Sequence, residues 1–237
     1  MTQSDVTAPE RPRPVRQVRS YVRREGRMTR AQRRALHELW PRYGIDAQGG
    51  LLQFEQLFGR RAPVYLEIGF GNGEALCELA SAHPQSDYLG IEVYRPGVGS
   101  LLLKLEQRAL TNVRVICADA AAALSHRIPC DSLDAIYLFF PDPWPKKRHH
   151  KRRLVQLDFL EQVTARLKPG GYFHVATDWE DYAAHVLAVA ARVPALSNIA
   201  GRRRYASRPD YRCRTRFERR GQELGHSIRD LVFERRH

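Results

Sequence analysis

Residues 63–70 read as a buried strand that enters the turn Gly69-Phe70-Gly71-Asn72-Gly73. Residues 74–82 then continue as a helix, with Leu76, Leu79 and Ala80 on one face. The same alternation recurs downstream. Strands are expected at 87–93, 112–118, 133–140, 172–176 and 228–234, and helices at 97–110, 120–124, 154–167 and 180–192. The segment 133–140 is nearly all apolar, as a strand covered on both faces must be. Strands alternating with helices at this spacing imply an α/β fold, a parallel sheet wound by right-handed crossovers with helices on both sides.

In such a sheet a ligand sits beyond the carboxyl ends of the strands. Acidic side chains fall at or near four of those ends: Glu67, Glu92, Asp119 and Asp142. Buried carboxylates without partners are strongly penalised, so donors or a cation are expected among them. The turn is not a dinucleotide fingerprint, because Glu74 stands where the third glycine belongs. No Gly-Lys-Ser or Gly-Lys-Thr follows it, and no Lys or Arg lies between residues 62 and 94 to meet a pyrophosphate. A cationic nucleoside without phosphates fits better, and S-adenosylmethionine is the expected cofactor. Gly69, Gly71 and Gly73 would let the backbone approach its methionine part. Glu92 would accept from the ribose diol and Asp119 from the adenine amine.

After the 133–140 strand comes Pro141-Asp142-Pro143-Trp144-Pro145-Lys146. The flanking prolines hold Asp142 in place, and Trp144 offers a stacking face for a base. Six permanent cations then fall within residues 146–153, with His149 and His150 among them. The whole chain of 237 residues carries a net charge of +13, which favours a polyanionic partner. Residues 1–35 hold ten of the arginines and are expected to form a basic, partly disordered arm ahead of a catalytic domain at 36–237. The four cysteines are scattered, and neither they nor the histidines have metal-ligand spacing, so no metal is expected. No apolar run is long enough to span a bilayer or to act as a signal peptide, and a soluble cytoplasmic protein is expected.

Glu67 to Gly73, the Pro141 to Lys146 loop, Arg148-His149 and Lys151-Arg152-Arg153-Leu154 together resemble the bacterial tRNA (guanine-N7)-methyltransferase family. So do Ala176-Thr177-Asp178-Trp179 and the C-terminal Thr215-Arg216-Phe217-Glu218, Arg220-Gly221 and Leu224-Gly225-His226, so the likeness spans about residues 50–236. The resemblance implies a Rossmann-like class I methyltransferase fold with a mostly parallel seven-stranded sheet. It implies methyl transfer to N7 of a guanine in the tRNA variable loop, at tRNA position 46. Glu67, Glu92, Asp119 and Asp142 would contact the cofactor, with Asp142 also catalytic. Lys146, Asp178, Thr215, Arg216, Phe217 and Glu218 would bind the substrate. Arg148, His149, His150, Lys151, Arg152 and Arg153 would contact RNA, and family members are monomers or homodimers. One departure is Cys213, where the family tends to carry proline.

Two other activities compete with this reading. Enzymes that methylate exocyclic base amines carry a similar acid-proline-aromatic loop, but with a second proline that is absent here. A non-catalytic RNA binder on the same fold would have no use for four intact acids.

Overall fold

The computed structural model describes residues 20–21, 26–213, 218, 225 and 227–237. Eight strands form one sheet in the order β1-β4-β3-β2-β5-β6-β8-β7. They are β1 (Gly44–Ile45), β2 (Val64–Ile68), β3 (Asp87–Ile91), β4 (Val113–Ile116), β5 (Leu133–Phe139), β6 (Leu167–Thr177), β7 (Leu196–Asn198) and β8 (Arg229–Arg235). The six strands from β1 to β6 run parallel, and β8 pairs antiparallel with both β6 and β7. The sheet thus has one strand more than the seven expected. The addition at one edge is the two-residue β1, too short to leave a periodic signal.

The helices are α1 (Arg30–Glu38), α2 (Trp40–Tyr43), α3 (Phe54–Phe58), α4 (Glu74–Ala82), α5 (Arg95–Gln107), α6 (Ala120–Arg127), α7 (Leu157–Arg166) and α8 (Glu180–Ala190). Side chains alternate across the sheet into two cores. On β5, Leu133, Ile136 and Leu138 enter the core shared with α6, α7 and α8, whereas Ala135, Tyr137 and Phe139 enter the one shared with α1, α4 and α5. Period-two alternation along a doubly covered strand is what makes both cores continuous.

Two departures from the sequence reading have local causes. The Lys168-Pro169-Gly170-Gly171 segment, expected to end a helix, lies inside β6. Leu133 pairs with Leu167 and Ala135 with Tyr172, so these four residues bulge out while the ladder continues. The expected boundary at residue 35 falls within α1. That helix begins at a reciprocal cap: Thr29 Oγ1 accepts from Gln32 N at 3.1 Å, and Gln32 Oε1 accepts from Thr29 N at 2.8 Å. Gln32 Nε2 then donates to Ser100 Oγ of α5 at 2.9 Å, which ties this segment to the domain.

Candidate active site

The glycine turn joins β2 to α4 with Gly69, Gly71 and Gly73 at φ of +72°, +58° and +76°. L side chains rarely adopt this left-handed region, so a tight exit from the strand needs glycine at each point. The three differ in surroundings. A Cβ at Gly69 or Gly71 would meet nothing within 4 Å, whereas one at Gly73 would lie 2.5 Å from Leu101 Cδ1. Gly69 and Gly71 line a cavity of about 730 Å³, and Gly73 packs beneath it as the residue that starts α4. Gly97 of α5 is equally constrained, because a Cβ there would stand 2.1 Å from Gly71 O.

Three of the four expected carboxylates have defined partners or a defined lack of them. Glu67 is 3 % exposed and borders the cavity, and its Oε2 has no hydrogen-bond partner among the described residues. Burial, followed by the charge of Glu92, pushes its carboxyl up to about 8. Glu92 closes the turn: Oε2 accepts from Gly71 N at 3.0 Å, and Oε1 accepts from Val93 N at 2.7 Å and Tyr94 N at 2.9 Å. Burial raises the Glu92 pKa, and those three amides act in the opposite direction. Asp119 caps α6, with Oδ1 accepting from Ala122 N at 3.0 Å, and also borders a smaller cavity of about 110 Å³.

Asp142 is exposed and lines both cavities. Its loop is held by more than prolines. Phe140 and Trp144 take φ of +52° and +47°, so a left-handed, strained residue stands on either side of the carboxylate. Trp144 Nε1 donates to Ser20 O at 3.1 Å, and the Arg152 guanidinium lies 3.8 Å from the Trp144 ring centre. One face of the indole expected to stack on a base is therefore occupied by Arg152.

The basic run folds as a 3₁₀ turn over Lys147–Arg152. Lys146, Lys147, Arg148 and Lys151 are exposed, and His149, His150 and Arg152 are half-buried. Arg153, grouped with them by sequence, points inward and is 2 % exposed. It donates to Pro143 O at 3.0 Å and to Asp181, so it braces the Asp142 loop against α8.

Asp178 follows β6 at the same sheet edge but does not border either cavity. It is not the N-cap of α8, since that position belongs to Trp179. Glu218 is buried against Arg212, with Nη1 to Oε2 at 2.6 Å and Nη2 to Oε1 at 3.2 Å. Thr215, Arg216 and Phe217 lie outside the described residues, as does the stretch of the arm before Ser20. Cys213 is half-buried, and burial together with Glu78 pushes its thiol up to about 11.

Sequence reasoning missed Tyr21, Arg27, Thr29 and Gln32, which line the larger cavity from the N-terminal segment. Their only local signal was the Thr29–Gln32 capping pattern. Among the described residues no helix is long and apolar enough to cross a membrane, and no group of three or more His, Cys, Asp and Glu could hold a metal ion.

Residues 61–231 match a family model described as "Putative methyltransferase". A tRNA (guanine-N(7)-)-methyltransferase of Alkalilimnicola ehrlichii is 56% identical over 223 residues, covering 93% of this chain and 94% of that one. One from Nitrosospira multiformis is 54% identical, covering 94% and 96%. Among solved structures, the 16S rRNA methyltransferase KamB superposes with a TM-score of 0.56 at 16% identity, over 80% of this chain and 96% of that one. That likeness concerns the fold. The identity over nearly the full length, joined to the glycine turn and the Asp142 loop on one sheet edge, settles the relationship: this chain belongs to the tRNA (guanine-N7)-methyltransferase family.

Proposed function

We propose that the protein transfers a methyl group from S-adenosylmethionine to N7 of a guanine in tRNA, the variable-loop guanine at position 46. The observation that carries this reading is the ring of Glu67, Glu92 and Asp142 around one cavity behind the glycine turn. A cavity of about 730 Å³ falls within the range of roughly 300–1,000 Å³ usual for small-molecule sites.

The residues present suit this cofactor. Glu67 holds a buried oxygen without a partner, which a cationic ammonium would satisfy. Glu92 is braced by three amides and suits a ribose diol, Asp119 suits the adenine amine, and Gly69 and Gly71 leave room for the methionine part. When bound, S-adenosylmethionine supplies a methyl group on a sulfonium sulfur, which keeps the bonding electron pair as the methyl leaves.

Guanine N7 already presents an in-plane lone pair, so no proton has to depart before it attacks. The protein's task is alignment, a proximity effect of about 7–11 kcal/mol. Asp142, held between two left-handed backbone positions, orients the base and favours the positive charge that the base acquires. Arg153 is a positioning residue that keeps this loop against α8. Lys146, Arg148, His149, His150, Lys151 and Arg152 flank the opening and suit phosphate contacts. Asp178, Thr215, Arg216, Phe217 and Glu218 are assigned to the substrate side by family likeness, with Glu218 held in place by Arg212. The catalytic domain takes in the whole of α1 together with the chain that follows it, and the basic segment ahead of α1 adds Tyr21 and Arg27 to the cavity wall.

The test is labelled methyl transfer to bulk tRNA, followed by identification of the modified nucleoside. 7-Methylguanosine is expected. Label on an exocyclic amine, or none in RNA, would overturn the proposal.

A further inference from the structure

β7 and β6 both pair antiparallel with β8 and so run in the same direction. The chain leaving β7 therefore heads toward the sheet edge that carries the Asp142 loop. Ile199 N still donates to Val232 O at 3.1 Å, and further on Ala206 N donates to Asp230 O at 2.8 Å, level with Ala176 of β6. Between these anchors lies a tight turn carrying Arg202, Arg203, Arg204 and Tyr205.

The turn is built rather than loose. Ala200 N donates to Asn198 Oδ1 at 3.0 Å, Gly201 N to Asn198 O at 3.1 Å and Arg204 N to Gly201 O at 3.2 Å. Asn198 Nδ2 closes it by donating to Arg204 O at 2.9 Å. Arg203 sits at φ +58°, a strained conformation for a side-chain-bearing residue. With the backbone fixed, all three arginine side chains and Tyr205 are exposed. Among the described residues none of the three guanidiniums forms an ion pair. Three adjacent like charges repel one another, and a polyanion between them removes that penalty.

Arg229 links the turn to the active edge. Its guanidinium lies 5.9 Å from the Tyr205 ring centre, and its backbone is in register with Thr177, the residue before Asp178. β7 stands three strands from β5, about 14 Å at the usual strand spacing. One RNA that touches the 146–152 run and this turn would cross the carboxyl end of β6, where Asp178 follows.

We infer that the 202–204 turn, with Tyr205 and braced from below by Arg229, whose guanidinium is held by Glu180 at 3.1 Å, is a second RNA-contact site that holds tRNA backbone phosphates away from the target guanine. This rests on the tRNA methylation proposed above. Phosphate contacts position an RNA without reading its sequence, so the site would act on affinity and leave the chemical step alone.

The test compares the full-length protein with the triple variant Arg202→Gln, Arg203→Gly, Arg204→Gln. Glycine suits the left-handed position, so the melting temperature should not fall. The dissociation constant for tRNA should rise at least about tenfold near physiological salt, and the slope of log affinity against log salt should become shallower by about two. Turnover at saturating tRNA and the KM for S-adenosylmethionine should match the wild type. Unchanged tRNA affinity and salt slope would overturn the site, and so would a loss confined to binding of anionic phosphatidylglycerol vesicles. A wild-type protein that moves no methyl to tRNA would instead overturn the underlying function, so the two failures are read from different samples.

Discussion

Arg212 and Glu218 form a buried, two-pronged ion pair, and the same guanidinium reaches across to Asp230 on β8, with Nη2 to Oδ2 at 3.1 Å. Asp230 Oδ1 in turn accepts from His174 Nε2 of β6 at 2.8 Å. One arginine thus ties Glu218, expected from sequence to face the substrate, to β8 and through Asp230 to β6. Glu218 owes its orientation to this lock.

Arg212 is 1 % exposed, so removing it takes a fully buried guanidinium away from two buried carboxylates. Breaking a buried pair on one side costs about 3–5 kcal/mol. Arg212→Ala should lower the melting temperature by about 10 °C, a shift that calorimetry would resolve. Arg212→Lys should recover only part of it, because an ammonium cannot fork between two carboxylates. A variant as stable as the wild type would show that the lock contributes little.

Glu67 sets a proton-linked prediction. Unfolded, its carboxyl loses the proton from about pH 4.5 upward, whereas in the ligand-free fold it keeps the proton until about pH 8. The unfolded chain therefore binds fewer protons across that window, and the ligand-free fold loses stability as pH rises through it. A cation placed against Glu67 reverses the preference. Near pH 7, cofactor binding should release up to about one proton, measurable by calorimetry in buffers of different ionisation enthalpy. Glu67→Gln should abolish that release and flatten the stability profile.

Asp142 should separate chemistry from cofactor binding. It is exposed and, in the proposed mechanism, stabilises the positive charge on the methylated base, whereas Glu67 and Glu92 are assigned to the cofactor. Asp142→Asn should lower kcat by about 10²–10³, in the range seen for preorganised electrostatic groups, with a much smaller change in cofactor affinity. Turnover near the wild-type level at saturating cofactor would remove Asp142 from the catalytic role.

Gly97 tests the architecture of the turn from the outside. The atom that a Cβ would strike is the backbone carbonyl of Gly71, which cannot swing aside. Gly97→Ala should cost about 1–3 kcal/mol and raise the KM for S-adenosylmethionine, although residue 97 lies a full strand-turn-helix away in sequence. The measurement pairs a melting curve with cofactor titration, and wild-type values in both would show that the turn tolerates displacement.

The α/β alternation, the parallel core strands, the glycine turn and the strand-end acids Glu67, Glu92, Asp119 and Asp142 were all legible in the residues themselves. Each rests on a local cause: side-chain period, the conformational needs of glycine, or a carboxylate at or near the end of an apolar run. Tertiary structure decided what depends on long-range meeting. It turned Arg153 inward and left Lys146, Lys147, Arg148 and Lys151 on the surface, because Asp181 and Pro143 O come to Arg153 from elsewhere in the chain. It brought Tyr21 and Arg27 to the cavity wall, paired Arg212 with Glu218 and Asp230, and sent the three-arginine turn toward the active edge by reversing β8. A charge or a ring looks the same in sequence whichever way it faces, and only packing against distant partners assigns its direction.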